Sequence, residues 1–237
     1  MIQWYLFPLL KFIQRNFNMN TYTKEEARHV VLNCAKDYDK NLLNKKFLII
    51  YKNQMNNCFE FIELFFLKRN FQHLTGLELV NENHIIQTNK SEYFYEKCIN
   101  QKLSTDDFQF KRDGTTNLKL QALPALLKIQ RVTKIAGEYN HSRPYLVVDK
   151  VVGGINFCLG INYAEDCFVP VSALMENIKN FASCPHQVIA ILKKDKVEGI
   201  YTNICHVSKG VNLHNCTFSQ DITDMINLQY YIPKNKN

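Results

Sequence analysis

A chain of 237 residues, 46% of them hydrophobic, is long enough to bury a real core without covalent staples, and it suits one sizeable domain or two small ones. A formal net charge of +7 argues against an acidic, solvating chain and favours an anionic partner, nucleic acid first. Eight cysteines, at 34, 58, 98, 158, 167, 184, 205 and 216, include no CxxC pair and follow no evident secretory leader, and several lie inside apolar runs, so they read as reduced, buried thiols of a cytosolic protein.

The first 18 residues pair an apolar run, Met1-Ile2-Gln3-Trp4-Tyr5-Leu6-Phe7-Pro8-Leu9-Leu10, with a basic stretch through Arg15. The run is shorter than the roughly 20 residues a membrane span needs, and Pro8 interrupts it. Residues 1–18 are therefore expected to be a non-core leader read from an upstream start codon, with Met19 opening the domain proper. Thr23 and Glu26 then form a capping box, and Ala27, Val30, Val31, Cys34, Tyr38 and Leu42 recur at helical spacing. Phe47 to Tyr51 and Cys58 to Leu67 read as two strands joined by the polar turn Asn53 to Asn57. The segment Arg69-Asn70-Phe71-Gln72-His73-Leu74-Thr75-Gly76-Leu77 follows as a polar turn at the end of a buried strand, with Gly76 free to bend sharply.

A short helix from Ser91 carries Phe94, Cys98 and Ile99 inward, and Ser104 to Thr116 is polar and turn-like around Asp113-Gly114. Leu118, Ala122, Ala125, Leu126, Ile129, Val132 and Ala136 keep a helical period up to a stop at Gly137; Pro124 means that this helix begins close to Ala122 or is kinked there. Tyr145 to Val148 and Ile155 to Ile161 read as strands around a Gly153-Gly154 turn, and Ser172 as the cap of a short helix through Leu174, Ile178 and Phe181. Gln187 to Leu192 and Ile200 to Val207 form a closing hairpin, and residues 208–237 a polar C-terminal tail with at most a weak helix near Ile222 to Leu228. No internal repeat or biased linker splits 19–207, so a single α+β domain with an antiparallel sheet is expected.

The chain has no phosphate loop, dinucleotide fingerprint, HExxH or Gly-x-Ser-x-Gly elbow. Cys184 with His186, Cys205 with His206 and His214 with Cys216 match no zinc signature, so buried thiols and surface histidines are expected there and no metal site. Asp106-Asp107 and Glu165-Asp166 read as turn acids. What remains is a basic and hydroxyl set: Arg69, His73, Thr75, Lys111, Arg112, Thr115, Thr116, Lys119, and Tyr201 and Thr202 on the last strand. RNA cleavage needs a base for the 2′-hydroxyl, an acid for the leaving oxygen and cations for the phosphorane, and this set holds each type. Phe71, Tyr93, Phe94, Tyr95 and Tyr201 are candidates to stack bases.

Asn70-Phe71-Gln72-His73-Leu74-Thr75-Gly76-Leu77, with Lys45 to Tyr51 before it and Phe94 to Cys98 and Gly114-Thr115-Thr116-Asn117-Leu118-Lys119-Leu120 after it, resembles the phage-associated group of barnase, EndoU, colicin and RelE-like nucleases (PBECR), its fourth type. The likeness runs from about Met19 into the last hairpin. It implies an α+β fold with N-terminal helices packed on a mainly antiparallel sheet and a helical insertion. It also implies a metal-independent endoribonuclease of phage or mobile-element origin, acting as a toxin or effector in the cytoplasm of a bacterial host. By that likeness His73 is the acid or base, Thr75 positions the phosphate and Lys119 is the transition-state cation, while Tyr201 is added from its place on the terminal strand. Arg69, Lys111 and Arg112 are expected to hold RNA, either tRNA or another single strand. An immunity protein is a further expected partner, and neither cofactor, metal nor membrane is expected. The alternative is an inactive relative that binds nucleic acid or a partner protein through the same basic face.

Overall fold

The computed structural model describes residues 21–143, 145–229 and 231–233, and the expected leader lies outside them. Helix α1 (Lys24–Asn41) opens on the expected reciprocal cap: the Glu26 amide donates to Thr23 Oγ1 at 3.2 Å, and the Thr23 amide to Glu26 Oε2 at 2.8 Å. Its stripe of Ala27, Val31, Cys34 and Tyr38 is buried. Strands β1 (Lys45–Lys52) and β2 (Phe59–Phe65) form an antiparallel hairpin with Ile49 opposite Ile62.

The next segment corrects the sequence reading, because it is a helix and not a turn. In α2 (Lys68–Thr75) the Asn70 Oδ1 accepts from the Leu67 amide at 2.9 Å, and Phe71 and Leu74, one turn apart, are fully buried. Gly76, left-handed at φ 70°, ends it. Strand β3 (Leu77–Leu79) leads away and pairs with β4 (Phe108–Phe110) in a small separate ladder. Helix α3 (Ser91–Ile99), between them in sequence, buries Phe94, Tyr95 and Cys98.

Helix α4 (Thr116–Leu126) contains Pro124, so it begins well before Ala122, and the short α5 (Ile129–Val132) follows. The expected continuation to Ala136 is instead strand β5 (Ile135–Tyr139). Strands β6 (Lys150–Gly154), β7 (Phe157–Ala164), β8 (Cys167–Leu174), β9 (Ala182–Asp195) and β10 (Asn203–Val207) complete the sheet, and α6 (Gln220–Met225) closes the chain. Gly137 is no helix stop: a Cβ there would lie 3.0 Å from that of Ala182, so its bare backbone permits the close β5–β9 approach. Residues 145–148 are not a strand, and Gly153-Gly154 end β6 rather than make its turn. Ser172 lies within β8, and Pro170 is tolerated there because it sits at a bulge opposite Ile161. The helix expected from Ser172 is reduced to a 3₁₀ turn at Ile178–Asn180.

Among the described residues the main sheet has eight strands in the order β1-β2-β8-β7-β6-β5-β9-β10. Every neighbouring pair is antiparallel except β2–β8, and β1 also pairs with β9, so the sheet closes on itself with β10 outside the ring. Phe47, Ile49, Leu64, Leu159 and Ile161 on one face pack with α1 to α4. Leu48, Ile50, Ile189 and Leu192 on the other face are covered by Tyr201, Leu213 and Ile222, and a third cluster gathers Val151, Cys158, Leu174 and Phe181.

Candidate active site

His73 lies in the last turn of α2, on the exposed stripe it shares with Arg69 one turn earlier. Phe71 and Leu74 anchor the opposite side of the same helix in the core, which fixes where His73 can stand. The chain then leaves through Gly76, and the position admits no side chain: a Cβ would meet Thr116 Cα at 2.9 Å and Lys119 Cδ at 3.1 Å.

Those two neighbours belong to the second motif segment, which the fold brings against the first. Thr116 Oγ1 donates to the Gly76 carbonyl at 2.7 Å and accepts from the Lys111 amide at 3.0 Å. Lys119 Nζ donates to the His73 carbonyl at 2.8 Å, a cation on the C-terminal carbonyls of a helix, where the backbone dipole favours it. Asp113 shapes the intervening loop by accepting from the Thr115 amide at 2.9 Å and from its hydroxyl at 2.7 Å.

This packing sets the protonation states. Partial desolvation, then the charges of Lys111 and Lys119, hold the His73 imidazole below its ordinary value. Burial, then Lys111, brings Lys119 down to about 8 against the pull of Asp113. Burial raises the Asp113 carboxyl, but the Thr115 hydrogen bonds and the two lysines outweigh it and leave it below the usual range. Near neutral pH the site therefore offers an uncharged, exposed imidazole beside an ammonium that gives up its proton more readily than an ordinary lysine.

The other expected residues divide. Lys111 is half-buried and near enough to act on both His73 and Lys119, and Arg112 beside it is exposed. Arg69 is exposed and paired with Glu165 at 2.8 Å. Thr75 must be corrected: it is fully buried, donating to the Gln72 carbonyl at 2.7 Å and accepting from the Leu77 amide at 3.1 Å, so its hydroxyl seals the end of α2 and does not face a phosphate. Tyr201 must be corrected as well. It precedes β10, bridges to Ile226, and is buried on the opposite face of the sheet from α2. Its hydroxyl donates to Glu63 at 2.6 Å, Glu63 also holds Lys46 at 3.0 Å, and Lys194 Nζ lies 4.3 Å from the tyrosine ring centre. Phe71, Phe94 and Tyr95 are core residues and cannot stack bases, whereas Tyr93 is 48% exposed.

Sequence reasoning did not assign Asp113 and Thr116 their parts as loop former and clamp. The signal was present in Asp113-Gly114-Thr115-Thr116 placed directly before an apolar helical period. His186, expected at the surface, is buried against Tyr51, its ring 5.5 Å away, whereas Cys58 and Cys184 are exposed thiols. Among the described residues no group of three or more His, Cys, Asp or Glu side chains is placed to hold a metal ion, and no helix is long and apolar enough to cross a membrane.

The family model described as phage-Barnase-EndoU-ColicinE5/D-RelE like nuclease 4 matches residues 30–210, a span that includes both clamped segments. Searches of curated proteins and of solved structures return no match.

Proposed function

The chain belongs to the phage-Barnase-EndoU-ColicinE5/D-RelE like nuclease 4 family, and from that premise we propose that it is a metal-independent endoribonuclease centred on His73 and Lys119. The observation that carries the proposal is the 2.8 Å contact from the buried Lys119 Nζ to the His73 backbone carbonyl, which packs the lysine against the turn that bears the exposed His73 side chain. Neutral His73 takes the proton of an RNA 2′-hydroxyl, and the freed oxygen attacks the adjacent phosphorus. Lys119 and Lys111 offset the charge gathering on the phosphorane. The P–O5′ bond breaks as the leaving oxygen takes a proton from Lys119, giving a 2′,3′-cyclic phosphate and a 5′-hydroxyl. Arg69, Lys111 and Arg112 hold the flanking phosphates of tRNA or another single strand.

A protein of this kind acts as a toxin on RNA in the cytoplasm of a bacterial host, and an immunity protein would act by covering the His73 face. Purified protein incubated with tRNA and total RNA in EDTA tests the reading. Wild type cleaves, and His73→Ala loses about 100-fold or more of the rate. Intact RNA with wild type, or undiminished cleavage by the variant, contradicts it.

A further inference from the structure

The short β3–β4 ladder joins the His73 site to a second concavity. At one end Leu77 pairs with Phe110, next to Gly76 and Lys111; at the other Leu79 pairs with Phe108 and opens into a cleft of about 380 Å³. The Leu77 and Leu79 pairs are about 7 Å apart, two residue steps along a strand. Tyr93, 48% exposed, lines this cleft, and the Lys97 ammonium, itself paired with Asp107 at 2.6 Å, stands 5.5 Å from the ring centre. Asn83, Gln87, Glu82 and Asp106 supply amide and carboxylate groups around it.

This lining is unlike that of the His73 site. Glu82 and Asp106 repel a phosphate, yet carboxylates and amides are the groups that pair with the donor and acceptor edge of a base. A half-exposed tyrosine is the platform on which an unstacked base lies. Lysines and an arginine gather at the His73 end of the ladder, whereas Glu82, Asp106, the Lys97–Asp107 pair and the Tyr93 ring line the other. We propose that the Tyr93 cleft receives an unpaired nucleobase of the RNA whose backbone lies at His73, and so restricts the substrate to single-stranded RNA. The proposal rests on the endoribonuclease reading for its substrate, but it is tested by binding alone.

Fluorescence anisotropy of a short, labelled single-stranded RNA measures the affinity of the full chain carrying His73→Ala, with and without Tyr93→Ala or Tyr93→Phe. Tyr93→Ala is expected to raise Kd by about tenfold or more, as loss of one base–aromatic stack does. Tyr93→Phe is expected to preserve the affinity, and a duplex of the same sequence to be insensitive to both changes. Equal Kd values with and without Tyr93→Ala, an equal loss on the duplex, or no binding by the parent overturns the proposal. Cleavage by wild type with Tyr93-independent binding removes the cleft and leaves the nuclease. Tyr93-dependent binding without cleavage removes the nuclease and leaves the cleft.

Discussion

At the scale of single residues the account rests on opposed protonation states. His73 has its pKa lowered by partial desolvation and by two lysines, so it is already the free base at neutral pH; Lys119, brought down to about 8, still carries its proton there. The kcat/KM for RNA should therefore rise as pH climbs through a histidine value below the ordinary one. It should fall again near 8 as Lys119 deprotonates. A pH–rate profile checks this, and one with no alkaline fall contradicts the role given to Lys119. Tyr201→Phe removes a hydrogen bond to the Glu63 carboxylate at 2.6 Å and should cost about 1.5–3 kcal/mol in urea unfolding while leaving kcat/KM within about twofold. A large loss of activity at unchanged stability would return Tyr201 to the site.

Elements place these residues, and Gly76 is the joint between them. Gly76→Ala keeps a left-handed φ of 70° at a cost of about 1–2 kcal/mol and drives a methyl to within 2.9 Å of Thr116 Cα, which forces α2 and α4 apart. Chemical denaturation should show at least that loss, with a fall in kcat exceeding the loss of folded protein; unaltered kinetics would mean that the clamp does not set the site. How much of this was legible in sequence follows from distance along the chain. The Thr23–Glu26 cap is complete within three residues, and it was readable. Helix α2 was not, because its Asn70, Gln72 and Thr75 are buried polar groups, and Asn70 reaches the Pro170 carbonyl at 3.4 Å, a hundred residues away. Gly137 and Ser172 misled because local period and capping chemistry suggested helices, and strand pairing decided otherwise, with β6 and β9 for the first and with β7 for the second.

In the molecule as a whole, helix packing over long sequence separations decides which site residues meet. His73 and Lys119 were legible as chemistry but not as neighbours, since the contact between them spans 46 positions and only the packing of α2 on α4 creates it. Tyr201 lies in a different cluster from α2, packed with Leu213 and Ile222 against Leu48, Ile50, Ile189 and Leu192. The family resemblance, carried by the residues around His73 and by Gly114 to Leu120, singled out the two segments that the fold clamps together. The product ends from a defined single-stranded RNA, cleaved in EDTA by wild type and by His73→Ala, decide whether His73 drives attack by the 2′-hydroxyl. Wild type should leave 2′,3′-cyclic phosphate and 5′-hydroxyl ends, and the variant should form them about 100-fold more slowly or not at all. Ends bearing a 5′-phosphate and 3′-hydroxyl, or identical products from His73→Ala at an undiminished rate, would contradict this role for His73.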